Sequence, residues 1–306
     1  MMQQMSETKR IVSVSLGSSK RNASAQYDVL DQTFLLERIG TDGSMEKMAE
    51  LFRELDGKVA AFGLGGTDLN IVAGDKSYSF KDIKALVSNA KITPVLDGGG
   101  LKHTLEREAI KQLEPLIGWN GRKTLMVSAV DRFGMAEALA EAGADVLYGD
   151  LIFSLGLPIP IRTIGTLRTF AQILLPVITQ LPFKWFYPTG DKQEKIERDA
   201  RVKYYDWADV IAGDFLYINR YRPEKLVGKT ILTNTITPAD VEALKAAGAK
   251  RLIATTPKLN GRNFGTNVME AFFVAASGKN RVLTPQELTE FIKLVGFKPE
   301  VYELNP

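Results

Sequence analysis

Residues 123–135 read KTLMVSAVDRFGM: an apolar run from Lys123 to Ser128, a short turn, and Gly134 at the head of a helical pattern. A strand that turns directly into a helix is the opening of a βαβ unit. Downstream the same alternation continues, with helix Met135 to Ala142 ending at Gly143 and strand Asp145 to Tyr148 ending at Gly149-Asp150. Further strand signals lie at 209–212, 230–233 and 251–254, the last two separated by a helix from Pro238 to Ala247. Strands separated by helices of about ten residues imply right-handed crossovers and a mainly parallel sheet. The expected fold is therefore α/β, with a Rossmann-like, doubly wound parallel-sheet domain over residues 121–283.

Upstream, strand signals at 11–16, 34–39, 59–64 and 92–96 alternate with helices at 44–55, 80–90 and 102–116. Met45, Met48, Leu51, Phe52 and Leu55 recur at the three-and-four spacing of one helix face, with Ser44 as the N-cap and Asp56-Gly57 as the stop. This predicts an N-terminal α/β substrate domain over 1–120, joined by the turn Gly118 to Arg122. A helix from Thr284 to Val295 and a tail make up 284–306.

The chain has 306 residues, 39 basic and 36 acidic, for a formal charge of +3. That balance argues against a nucleic-acid partner and leaves a small-molecule substrate as the expected one. With no cysteine and one histidine there is no disulfide framework, no thiolate zinc site and no cysteine nucleophile, and no metal is expected. The short polar stretch before Ile11 lacks the apolar centre of a signal peptide, so the expected location is cytoplasmic. Prolines and charges interrupt the apolar segment 151–190, and no uninterrupted run reaches the roughly 20 residues of a transmembrane helix. Such a segment needs cover from self-association, intramolecular packing, an apolar ligand or a membrane surface, and a homo-oligomer formed through it is the expectation.

The turn Ser128, Ala129, Val130, Asp131, Arg132, Phe133 and Gly134 places the first amides of a helix at the sheet's carboxyl edge, where an anion can sit. Gly134 takes the third place of the Gly-x-Gly-x-x-Gly fingerprint, while Ala129 and Asp131 replace the first two glycines. Asp150, at the end of the next strand, suits a ribose 2′-hydroxyl and NAD, whereas Arg132 suits a pyrophosphate or the 2′-phosphate of NADP. Thr233 and Asn234, at the end of a later strand, complete the candidate cofactor residues. The alternative is that the turn is only structural. Ser18, Ser19, Lys20 and Arg21 follow the first strand with two hydroxyls and two cations, a set suited to a carboxylate or phosphate on a substrate. Asn267, in the polar loop 260–267 after the last parallel strand, is a further substrate-binding candidate. His103 is the lone histidine, and could transfer a proton or be a solvated first-turn residue.

Residues 123–150 resemble the cofactor half of shikimate/quinate dehydrogenases and of methylenetetrahydrofolate dehydrogenase. Residues 12–21, 127–135 and 183–190 together resemble bacterial proteins labelled quinate 5-dehydrogenase. The resemblance implies an NAD- or NADP-dependent oxidoreductase acting on a small hydroxylated or carbonyl metabolite such as quinate or shikimate. It also implies a catalytic lysine–aspartate pair, for which Lys102 with Asp97 or Asp68 are the candidates, beside His103. The competing reading of the degenerate turn is a non-catalytic nucleotide- or metabolite-binding protein.

Overall fold

In a computed structural model of the chain we describe residues 8–74, 76–183, 196–256, 258–259 and 262–306. Most of the 183–190 resemblance, the polar run at 191–195, and residues 260 and 261 of the polar loop lie outside the described residues.

The first sheet is built from β1 (Lys9–Ser15), β2 (Ala23–Val29), β3 (Gln32–Gly40), β4 (Ala61–Gly65) and β7 (Val95–Leu96), in the order β2-β3-β1-β4-β7. β3, β1, β4 and β7 run parallel, and β2 pairs antiparallel with β3 through a tight turn at Leu30 and Asp31. Both turn residues have positive φ, 53° and 56°, the backbone of a two-residue hairpin whose twist matches its strands. β2 alternates small or apolar residues (Ala23, Ala25, Tyr27, Val29) with polar ones (Ser24, Gln26, Asp28), the pattern of a half-buried strand. Helix α1 (Met45–Leu55) follows β3, capped by Ser44 as expected, and buries Met48 and Phe52. A small hairpin, β5 (Asn70–Ala73) and β6 (Lys76–Ser79), and helix α2 (Lys81–Val87) precede β7.

Helix α3 (Gly99–Ile117) then carries the chain into the second lobe. There follow β8 (Lys123–Met126), α4 (Phe133–Glu141), β9 (Asp145–Tyr148), α5 (Asp150–Phe153), α6 (Ile164–Ile178), α7 (Val202–Trp207), β10 (Val210–Ala212), α8 (Phe215–Tyr221), β11 (Thr230–Thr233), α9 (Pro238–Ala246) and β12 (Arg251–Ala254). A short hairpin, β13 (Lys258–Leu259) with β14 (Arg262–Asn263), leads to α10 (Thr266–Ser277), α11 (Pro285–Leu294) and β15 (Glu300–Glu303). The second sheet has the order β15-β12-β11-β10-β8-β9, in which only β15 is antiparallel. The α/β class and the parallel sheet hold. The Rossmann expectation is corrected, because five parallel strands in a 2-1-3-4-5 order are the other doubly wound arrangement, not the six-stranded dinucleotide one.

The lobes exchange segments. α10 packs against β4, β1 and β7 of the first sheet and against α3. Phe272 of α10 meets Phe34 edge-on, centroids 4.9 Å apart, and Phe273 stacks on Phe291 of α11 at 5.6 Å. The chain then returns, and β15 joins the second sheet beside β12. Among the described residues, α3 and 295–299 carry the chain between the lobes.

The apolar segment is spent inside the chain only in part, since Leu157, Ile159, Ile173 and Val177 remain exposed. Leu167, Ala171 and Leu175 of α6 are buried in the core that spans both lobes, and α6 packs on the β5–β6 hairpin. Intramolecular packing thus covers part of the segment for which a homo-oligomer was expected, and nothing here supports that assembly. No helix among the described residues is long and apolar enough to cross a membrane.

Gly134 is required, though not for the reason its place in the fingerprint suggests. A Cβ there would lie 2.7 Å from the Lys102 carbonyl oxygen and 2.8 Å from the His103 Cα, both backbone of α3, so the glycine permits α4 to pack on α3 rather than on a strand. We expect Gly134→Ala to lower unfolding stability by about 1–3 kcal/mol, the usual cost of overpacking. In urea melts the midpoint should fall with an unchanged slope; an unchanged midpoint would show that the helices can part at no cost.

Candidate functional site

The carboxyl ends of both sheets line one cavity of about 290 Å³. In open α/β sheets the crevice beyond these strand ends, where the strand order reverses, is where ligands bind. The first lobe contributes Ser13 and Ser15 from β1, Arg38 from β3, the Gly65-to-Asp68 loop after β4, and Asp97 after β7. The second contributes Ser128, Val130, Asp131 and Arg132 after β8, Asp150 after β9, Asp214 after β10 and Asn234 after β11.

A buried ionic web forms the floor. Lys102, in the first turn of α3, donates to Asp68 Oδ1 and Asp131 Oδ1, both at 2.6 Å. One turn further along the same helix, Glu106 accepts from Arg132, whose other terminal nitrogen reaches Asp214 Oδ2 at 3.3 Å. Arg132 is 2% exposed and Glu106 fully buried. The Glu106 Oε2 atom has no hydrogen-bond partner, nor does Arg132 Nε. Burial works against the Lys102 ammonium, but Asp131 and Asp68 outweigh it and hold its pKa above the usual lysine range. So clamped, Lys102 is held as a cation between the two carboxylates.

The turn at 128–134 does not present a bare anion site. Asp150 accepts from the amides of Val130 (2.9 Å) and Ala129 (3.2 Å), so the chain's own carboxylate occupies the donors that a pyrophosphate would need. The expected ribose role of Asp150 is thereby corrected: its two oxygens face the turn. Arg132 is likewise committed to Glu106 and Asp214. Phe133 is fully buried in the core, and neither it nor Ala129 lines the cavity.

Of the remaining candidates, Asp97 lines the cavity but braces the loop, accepting from the amides of Leu69 (3.0 Å), Asn70 (2.8 Å) and Gly99 (2.9 Å). The lysine's partners are thus Asp68 and Asp131, not Asp97. His103 is half-buried beside α4 and does not line the cavity; burial, then Arg107, lowers its pKa. Thr233 is buried with its hydroxyl on the neighbouring Asn234 carboxamide at 3.4 Å, and only Asn234 reaches the cavity. Ser18 caps the short turn Ser19–Arg21, and the Ser19 amide donates to Asp42 at 2.6 Å. Of Ser18, Ser19, Lys20 and Arg21, only Arg21 lines the cavity. Asn267 does too, and donates to Ser13 Oγ at 2.8 Å, tying α10 to β1.

Glu106, Asp214, Arg38 and Glu270 escaped the sequence reading. Glu106 stands four residues after Lys102 on one helix face, a spacing that could have revealed it. Glu270 could not have been found, because it acts across 170 residues: from α10 it accepts from the Gly100 amide at 3.0 Å, the open N-terminus of α3. The site holds no grouping of three metal-ligating side chains among the described residues.

Burial pushes the carboxyls of Glu106 and Glu270 up to about 7 and that of Asp150 to about 6; burial, and then Asp131, raises Asp68 as well. Each of these folded-state values lies above the unfolded one, so between about pH 4 and 7 the native chain holds more protons than the unfolded chain. Stability must then fall as pH rises through that window. The opposite sign applies to Asp131, which Lys102 and Arg132 hold low despite its burial, and that contribution is lost only in stronger acid. We expect the denaturation midpoint to be higher near about pH 5 than near about pH 8; a midpoint that climbs steadily toward pH 8 would contradict the buried carboxyls. Lys102→Ala leaves two buried carboxylates without their cation. It should cost about 3–5 kcal/mol near pH 8 and distinctly less near pH 5, where one carboxyl takes up a proton. Urea melts at the two pH values measure the difference, and an equal loss at both would contradict the charge bridge.

No curated protein matches the chain. Among solved structures, similarity extends to a galactofuranose binding protein (11% identity, 96% of this chain and 94% of that one, TM-score 0.36). An ABC transporter solute binding protein from Agrobacterium vitis with bound allitol is 11% identical over 91% of this chain and 92% of that one, with a TM-score of 0.40. A glucose-galactose binding protein from Geobacillus stearothermophilus is 8% identical over 97% and 98%, with a TM-score of 0.37. Likeness this slight transfers no ligand. The expected kinship with quinate/shikimate dehydrogenases, and with it NAD or NADP as cofactor and the oxidoreductase reading, is nonetheless overturned. Asp150 fills the phosphate turn, accepting from the amides of Ala129 and Val130 that a dinucleotide would need, and Arg132 is held by Glu106 and Asp214. Residues 10–97 match the family described as domain of unknown function DUF8753. Residues 100–304, more than half of the chain, match the model described as domain of unknown function DUF8754, and the chain belongs to that family.

Proposed function

We propose that the protein is a non-catalytic binder of a small hydroxylated metabolite, uncharged or zwitterionic, held in the cleft between residues 1–120 and 121–283. The observation that carries this reading is the charge balance of the cavity wall. Arg21, Arg38, Lys102, Arg132 and Arg220 are matched by Asp68, Asp97, Asp131, Asp150 and Asp214, five against five. A phosphorylated ligand would call for surplus positive charge or bare helix amides, and here Lys102 and Arg132 face carboxylates and the amides of Ala129 and Val130 are taken. Hydroxyl groups, which donate and accept, suit a wall that offers both carboxylate acceptors and carboxamides such as Asn234 and Asn267. On this reading Asp68, Asp131, Arg21, Asn234 and Asn267 contact the ligand. Lys102 positions the two carboxylates, while Asp97, Ser18, Ser19, Lys20 and His103 support the loops around them.

The test is a thermal-shift and calorimetric screen of the full chain against sugars, polyols, cyclic hydroxy acids and amino acids, with inorganic phosphate, NADH and NADPH alongside. A hydroxylated or zwitterionic member at 100 times its Kd should stabilise the fold by about 2.7 kcal/mol. Asn267→Ala should weaken that member at least tenfold. Binding of phosphate or a dinucleotide in preference to every neutral member would overturn the proposal.

A further inference from the structure

We infer that the ligand is amphipathic, with its hydroxylated or zwitterionic head on the strand-end charges and an apolar tail along α6. The inference rests on the reading of the cleft as a ligand site and adds the chemical class of what fills it. Charged groups are only part of the cavity wall: Leu155, Phe170, Leu174 and Ile178 line the same space with no hydrogen-bonding group among their side chains. Helix geometry sorts this wall. Leu167, Ala171 and Leu175 form one ridge of four-residue spacing, committed to the core, and Phe170, Leu174 and Ile178 form the next, only partly covered.

The wetness of the second ridge is informative. Phe170 is 39% exposed and Leu155 38%, and both line the cavity. By contrast, Ile173 (64%) and Val177 (61%) of the same helix do not line it. A compact polyol filling the whole cavity would set hydroxyls against this apolar wall and leave them unpaired, which costs affinity. An alkyl or ring extension there replaces water on apolar surface, which is favourable in proportion to the area covered. The polar and apolar parts are continuous within one cavity, so one molecule can engage both.

The probes are methyl, butyl, hexyl and octyl β-glucosides, the matching alkyl carboxybetaines, and the headless n-alkanols, each titrated calorimetrically below its micelle concentration into the full chain. For at least one head group the affinity should rise about threefold per added methylene, and the alkanols should bind far more weakly. Phe170→Ser and Leu155→Ser, at partly exposed positions that fold does not depend on, should each remove much of the gain per methylene. Ile173→Ser, on the outer side of α6, should leave that gain intact. If methyl heads bind and longer chains add nothing, the amphipathic class is wrong and the cleft reading stands. Alkanols that bind as tightly as the headed series would also overturn the amphipathic class. If no headed compound and no member of the neutral screen binds, the cleft reading itself fails.

Discussion

Lys102 sits in the first turn of the helix that joins the lobes, and its ammonium touches one carboxylate from each: Asp68 beyond β4 and Asp131 beyond β8, both at 2.6 Å. Because α3 is continuous over 19 residues, the cation is fixed to a rigid rod while its two partners belong to different sheets. Removing such charges from water costs several kcal/mol per ion, which their attraction recovers only with good geometry and further hydrogen bonds. The bridge is therefore better understood as setting register than as adding stability. It holds the strand ends of the two sheets at one distance across the cleft, and Arg132 with Glu106 repeats the arrangement one turn along.

The same web occupies the turn at 128–134. A phosphate-binding turn works because its amides and helix dipole await an external anion. Here an internal anion, Asp150, has taken the amides, and the nearby guanidinium is bound to Glu106 and Asp214. Around the turn, then, the chain's own carboxylates already meet the amides and the two buried cations. The α6 wall adds apolar surface to the same cavity.

The exchange of segments is the second organising feature. α10 closes the first sheet, caps α3 through Glu270 and anchors Asn267 on Ser13, although its residues follow the last strand of the second lobe's parallel sheet. β15 then returns to that sheet. Each lobe is completed by residues distant in sequence, and neither wall of the cleft is made by one contiguous stretch.

How much of this was legible in the chain divides along physical lines. Period-two and period-3.6 apolar patterns, the Ser44 cap and the Gly143 stop depend on neighbours within a few residues, so β8, β9, β11, β12 and α1 could be read directly. So could the crowding of Lys102, Asp68 and the 128–134 turn near strand ends, since βα loops gather at one edge of a parallel sheet. β2 stayed hidden because two of the four residues on its inner face are alanines, which mark a strand only weakly, and β15 because its partner lies about 50 residues away. Strand order, the pairing of Lys102 with Asp131 instead of Asp97, the occupation of the turn by Asp150 and the cap from Glu270 belong to the tertiary structure alone. The sequence by itself determined an α/β chain with its charged residues at the strand ends. Which charge met which was decided only when two sheets closed around α3, because partner choice in a buried site depends on distances that no local spacing encodes.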